Sequence, residues 1–150
     1  MGDLKRSDDE QALVDLAAKV LPAGGFGNLA SNIVIKEGRG GRVWDVSGNE
    51  DVDFLLGSGP MLVGHGNEEV LAAVQEQVQR GTTFFANNEA GIRLAAEIVD
   101  AVACADKVRF VSTGSEATFY AMRLARAHRG RDKILKFEGG YHGMSDYALM

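Results

Sequence analysis

Two short stretches of this 150-residue sequence combine residue types that can hold an anion and a flat ring. The first is Ser112-Thr113-Gly114-Ser115-Glu116-Ala117, where a β-prone run, Val108-Arg109-Phe110-Val111, hands over to a helical pattern. The N–H groups of a first helical turn lack internal partners and lie at the positive end of the helix dipole. Gly114 lets the main chain approach a bound group closely, and Thr113 and Ser115 add hydroxyls that donate to phosphate oxygens, so the turn suits a phosphate. Taken alone it serves equally as a helix cap, the commoner use of Ser and Thr before a helix. The second stretch is Glu138-Gly139-Gly140-Tyr141-His142-Gly143, directly after the β-prone run from Lys133 to Phe137. Three glycines in five residues allow close approach to a ligand, Tyr141 can stack on a ring, and His142 can hydrogen-bond beside it. An exposed turn carrying a surface aromatic is the plain alternative. In an open α/β sheet, however, both turns fall outside the carboxyl ends of their strands, where ligands bind.

Other chemistry-bearing residues are less well arranged. His65, His128 and His142 are scattered and Cys104 is the single cysteine, so no zinc pattern exists and no metal is expected. Gly38 to Gly41 lacks the Lys-Ser/Thr of a P-loop and reads as a hairpin turn. Arg123, Arg126, Arg129 and Arg131 gather late in a helix, where cations meet its dipole favourably. No aromatics interleave them, so a solvated face or a subunit contact is expected rather than nucleic acid. The charge balance agrees: 16 Lys and Arg against 21 Asp and Glu leave a formal net charge of −5. Phe84-Phe85, in a polar loop, fits an interface, a site wall or a core anchor.

The elements that must position these residues are readable from periodicity. Ser7 with Glu10 makes a capping box for a helix from about Asp8 to Leu21, with Leu13, Leu16, Ala17 and Val20 as its apolar stripe. Ile33-Val34-Ile35, Val43-Trp44 and Val52-Asp53-Phe54-Leu55, separated by Gly- and Asn-rich turns, predict an antiparallel meander with one face covered by that helix. Helices follow over Glu68–Arg80, closed by Gly81, and over Glu89–Val102, capped by Asn88. The run 108–111, a helix from about Ser115 to His128, and the run 133–137 then predict a right-handed βαβ unit with parallel strands. The fold class is therefore α/β. The expected division is residues 1–56 as a helix-plus-meander subdomain and residues 57–150 as the beginning of a larger α/β domain. The hydrophobic fraction of 45% and charged fraction of 25% exclude a disordered chain. No apolar run reaches the ~18 residues of a membrane span. The polar start MGDLKRSDDEQ does not read as a secretory signal, and the lone cysteine fits a reducing compartment, so a cytoplasmic location is expected.

The segments Val108–Ala117, Arg123-Leu124-Ala125-Arg126, Gly130–Ile134 and Phe137–Gly143 together resemble the class III aminotransferases. These are pyridoxal-phosphate enzymes of fold type I, and the resemblance is nearest to the glutamate-1-semialdehyde aminomutases. Val43-Trp44-Asp45-Val46, Gly48-Asn49, Asp53-Phe54 and Gly64-His65 agree with it. The resemblance implies that Gly114 and Ser115 bind the phosphate of pyridoxal 5'-phosphate with Thr113 adjacent. Many members have Thr at the position of Ser115 and Ser at that of Thr113, and both substitutions keep a hydroxyl. Tyr141 matches the aromatic that stacks on the pyridine ring, and His142 the imidazole beside it. Gly57, Ser58 and Gly59 match a stretch lining the substrate entrance, which makes Ser58 a substrate-binding candidate. Gly66-Asn67-Glu68 departs from the His-Pro pair usual after Gly-His, which predicts an altered helix start.

Members hold the cofactor as a Schiff base on a Lys and pair its ring nitrogen with an Asp. Both lie well beyond the Tyr-His-Gly motif, so they are expected beyond residue 150, and no catalytic residue is assigned within it. Lys107, Lys133 and Lys136 match no such motif. The implied function is pyridoxal-phosphate-dependent amino-group transfer, as an aminotransferase or aminomutase, on an amino acid or amino-ketone. Small-molecule amino donors and acceptors and a homodimeric partner are expected, with no nucleic acid and no membrane. The 150 residues alone are expected to be inactive and to leave apolar helix stripes uncovered. The alternatives are a non-catalytic module that binds a phosphate ligand, or another reaction on the same scaffold, such as racemisation or a lyase elimination.

Overall fold

Ser7 opens the first helix, α1 (Asp8–Val20), by accepting a hydrogen bond from the Glu10 N–H at 3.2 Å. A computed structural model of the chain describes residues 5–26 and 32–149; residues 1–4 of the polar N-terminal stretch lie outside the described part. The reciprocal arm of the expected capping box does not form. The Ser7 N–H instead donates to Ser47 Oγ at 2.8 Å, and Glu10 turns inward, 2% exposed. Its Oε1 accepts from the Val34 N–H at 2.9 Å, and its Oε2 accepts from the Ser47 hydroxyl. Donors brought in from two distant segments compete successfully for the carboxylate, because a buried donor without a partner costs more than a solvated cap left open.

Antiparallel strands β1 (Ile35–Arg39), β2 (Arg42–Asp45) and β3 (Glu50–Val52) follow in the order β1-β2-β3, as the turn residues predict. The strand positions differ from the apolar runs. Ile33 and Val34 precede β1, which runs instead into the glycine loop, and Phe54-Leu55 lie beyond β3. Pairing sets these limits: Glu37 faces Trp44, Arg39 faces Arg42, and Arg42 faces Val52. Asp45, 4% exposed, organises the second turn by accepting from Asn49 N–H at 2.7 Å and from Asn49 Nδ2 at 2.6 Å. Burial pushes its carboxyl up, but those bonds and the N–H groups of Ser47 and Gly48 outweigh it and hold the pKa below the ordinary 3.8.

The expectation that α1 covers a face of this sheet is not met. Among the described residues α1 makes no close backbone approach to the strands, and Leu13, Leu16 and Val20 stay substantially exposed. The strands carry Lys36, Glu37, Arg39, Arg42, Glu50 and Asp51, so the sheet offers little apolar surface for a stripe to bury.

The chain comes as two compact units, residues 1–83 and 84–150. The first ends with α2 (Glu68–Val78), which Asn67 caps by accepting from Val70 N–H at 3.1 Å. The departure at Gly66-Asn67-Glu68 thus exchanges one helix start for another. In the second unit α3 (Glu89–Ala101) is capped by Asn88, which accepts from Gly91 N–H at 2.8 Å. Helix α4 (Gly114–Arg129) and the short α5 (Asp146–Leu149) complete it. Residues 108–111 and 133–137 are not strands: among the described residues neither run pairs with the other or with anything else. Val, Ile and Phe favour a strand, but a strand exists only where a neighbour takes up its N–H and C=O groups. Among the described residues no helix is long and apolar enough to cross a membrane.

Candidate functional site

In the second unit the two chemistry-bearing turns meet at the start of α4. Thr113 is its N-cap, accepting from Glu116 N–H at 3.1 Å, while Glu116 Oε2 accepts from the N–H groups of Ser112 (2.7 Å) and Thr113 (3.2 Å). This reciprocal box fixes the angle at which the chain enters the helix. It also leaves the N–H groups of Gly114 and Ser115 without a partner among the described residues. Above Gly114 the space is open: a Cβ built there meets no atom within 4 Å. Thr113 and Ser115 accept hydrogen bonds through their oxygens and keep their O–H hydrogens for a ligand.

The 138–144 loop is fastened to this turn by three contacts. Thr118 Oγ1 donates to the His142 carbonyl at 2.7 Å, and the Met144 N–H donates to Ser115 Oγ at 3.1 Å. Gly143, at φ +96°, lies so close that a Cβ there would be 2.8 Å from Ser115 Cα. Only glycine supplies both that backbone angle and that clearance. The His142 ring is held by its own loop, with Nδ1 2.8 Å from the Gly140 carbonyl. Tyr141, next to this fastened point, is 71% exposed. Thr113, Gly114, Ser115 and His142 are therefore brought together, with Tyr141 on the same loop.

Ser58 belongs to the first unit. It lies on the wall of an apolar cavity of about 1040 Å³, with Leu13, Leu16, Val20, Ile33 and Ile35 among its neighbours there. The turn carrying it is supported by Asp53, whose Oδ1 accepts from Leu55 and Leu56 N–H groups and whose Oδ2 lies 2.7 Å from His65 Nε2. The bond with His65, then that from Leu56, hold the Asp53 carboxyl below its ordinary pKa against the opposing effect of burial.

The sequence reading missed Thr118, Glu116 and Asp53. Glu116 carried a signal, the Thr-x-x-Glu spacing from Thr113. Asp53 carried half of one, an Asp able to accept from the N–H groups two and three residues on, but its His65 partner 12 residues away was not legible, nor was the partner of Thr118 24 residues away. The arginine cluster is partly occupied by rings: Arg123 lies over Phe119 and Arg126 over Tyr147, at 5.4 and 4.0 Å from the ring centroids. The described residues hold no group of three metal-ligating side chains.

Residues 26–150 match the family model "Aminotransferase class-III". The chain belongs to that family. It is 47% identical over 118 residues to the glutamate-1-semialdehyde 2,1-aminomutase of Persephonella marina, an overlap covering 79% of this chain and 28% of that one. It superimposes on an omega-transaminase from Sphaerobacter thermophilus with a TM-score of 0.89 at 32% identity, covering 96% of this chain and 34% of that one. A structure described as a transaminase with PLP bound matches with a TM-score of 0.90 at 32% identity, over 97% of this chain and 35% of its own. The chain thus spans about a third of the length of these relatives. Over that span its fold is the fold type I transaminase architecture, even though residues 108–111 and 133–137 form no strand pair among the described residues.

Proposed function

We propose that this chain carries the phosphate- and ring-binding turns of a class-III enzyme that uses pyridoxal 5'-phosphate for amino-group transfer, as a transaminase or an aminomutase. The observation that carries the reading is the fastening of the Tyr141-His142 loop onto the first turn of α4, where the space above Gly114 is open and the Gly114 and Ser115 N–H groups have no partner among the described residues. The fit to the cofactor is chemical as well as spatial. Two N–H groups without partners among the described residues, two hydroxyls and a helix dipole lie at the turn where Gly114 leaves room for a phosphate. When bound, pyridoxal phosphate supplies an electron sink for bonds at the substrate's amino-bearing carbon. In this reading Gly114 and Ser115 hold the phosphate with Thr113 beside them, and Tyr141 stacks on the ring. His142, its Nδ1 kept by Gly140, orients the same loop, and Ser58 faces substrate. Residues 57–150 then begin the cofactor-binding domain, residues 1–56 form the accessory subdomain, and the enzyme works as a cytoplasmic homodimer on an amino acid or amino-ketone.

A comparison of pyridoxal phosphate with pyridoxal, titrated onto the chain, tests this. Phosphate-dependent binding should be lost in Gly114→Val, which fills the open space, while α4 keeps its helical signal. Equal binding of pyridoxal and its phosphate, or unchanged binding by Gly114→Val, would remove the assignment. For the whole enzyme, product without a transferred amino group would remove amino transfer.

A further inference from the structure

The turn that carries Ser58 is built in an uncommon way. Leu56, Gly57, Ser58 and Gly59 have φ of +44°, +65°, +66° and +107°, four left-handed residues in succession. Two of them are not glycine, and a side chain with a Cβ disfavours that region. Such backbone persists only where its surroundings over-determine it. Bonds within the turn, Ser58 N–H to the Leu55 carbonyl at 2.9 Å and Gly59 N–H to the same carbonyl at 3.2 Å, close it but do not anchor it.

The anchor is a relay from the sheet. His65 exchanges two main-chain hydrogen bonds with Gly40, each of 2.8 Å, so its backbone is pinned to the β1–β2 turn. Its ring lies over Gly38, where a Cβ would come within 2.7 Å of ring carbon. The pinned imidazole meets Asp53 Oδ2 at 2.7 Å. The other carboxylate oxygen accepts from Leu55 N–H at 2.8 Å and Leu56 N–H at 2.9 Å, the residue before the left-handed run and the first residue of it. One rigid hairpin, one imidazole and one carboxylate thus determine the direction in which the chain enters residues 56–59.

We propose that Asp53, braced by His65, is a positioning residue that imposes the left-handed conformation of residues 56–59 and so sets where Ser58 stands on the cavity wall. Its consequence for substrate rests on the proposed role of Ser58; its consequence for the backbone does not.

The test is made on the full chain by nuclear magnetic resonance. Couplings and Cα shifts report the sign of φ at Leu56 and Ser58, and hydrogen exchange reports the Leu55 and Leu56 amides. Asp53→Ala and His65→Ala should both abolish the positive-φ signature. The Ala change at Asp53 should also speed exchange of the two amides about tenfold or more, as expected on losing a charged acceptor. Asp53→Asn keeps an oxygen for the same two donors and should restore most of the signature, whereas Asp53→Leu should not. A positive-φ signature that survives in Asp53→Ala, or equal behaviour of Asn and Leu, overturns the proposal. Should the Ala variant at Asp53 not fold, the His65 variant and the Asn–Leu pair decide it. In the active enzyme, a relaxed turn should raise KM several-fold with kcat little changed. A relaxed turn with unchanged KM would uphold the positioning role and overturn the assignment of Ser58 to substrate.

Discussion

Gly143→Ala, compared with Gly139→Ala, isolates the fastening of the loop from its backbone strain. Both glycines are left-handed, at φ +96° and +73°. An alanine at either is strained by about 1–2 kcal/mol and restricts the unfolded chain to a similar degree, so these contributions cancel in the comparison. The surroundings do not cancel. A Cβ on Gly139 meets nothing within 4 Å, whereas one on buried Gly143 lands 2.8 Å from Ser115 Cα, which is helix backbone and cannot swing aside. The loop must lift, forfeiting the Thr118–His142 and Met144–Ser115 hydrogen bonds, each worth about 0.5–1.5 kcal/mol. Gly143→Ala should therefore lose about 1–3 kcal/mol more than Gly139→Ala, or roughly 5- to 150-fold in the loop-closing equilibrium. Urea unfolding of the two variants measures the stability difference, and titration with pyridoxal phosphate measures its effect on the site. Indistinguishable stabilities, or Gly139→Ala the weaker binder, would refute the claim that contact with Ser115 holds the loop.

Two substitutions and an acid titration test the remaining supports. Glu116→Ala removes the acceptor for Ser112 and Thr113 N–H groups and should cost about 0.5–2 kcal/mol, read as a lower unfolding midpoint with fraying confined to the start of α4. Glu10→Ala orphans the Val34 N–H and should cost about 1–3 kcal/mol in thermal unfolding, more than the same change at exposed Asp9. The lowered carboxyl pKa values of Asp45 and Asp53 stabilise the first unit fully above pH ~4. That contribution should fade as pH falls further, through the lowered folded values. An acid titration of stability should therefore be shallower in Asp45→Asn and in Asp53→Asn than in the parent.

Where an element depends on neighbours within one or two turns, the sequence is sufficient. Asn88 and Asn67 cap their helices, α1, α2, α3 and α4 begin within a residue of the expected positions, and the Gly- and Asn-rich turns join antiparallel strands. Capping and helical periodicity are satisfied within about four residues, so residue order determines them. Pairing is different. Among the described residues the runs 108–111 and 133–137 have the composition of strands and no strand partners, and α1 makes no close backbone approach to the sheet.

The candidate site divides in the same way. By itself the sequence determined which residues could hold a phosphate and a ring, because Thr113-Gly114-Ser115 at a helix start and Tyr141-His142 between glycines are local chemistry. Only the tertiary structure decided that the second turn is bolted to the first by Thr118 and by the missing Cβ of Gly143. It likewise decided that Glu10 serves Val34 rather than its own cap, and that Asp53 and His65 steer the turn carrying Ser58. Each of these choices is made between groups far apart in the chain. A hydrogen-bond donor takes whichever acceptor the folded chain brings within 3 Å, and residue order records the donors without recording who arrives.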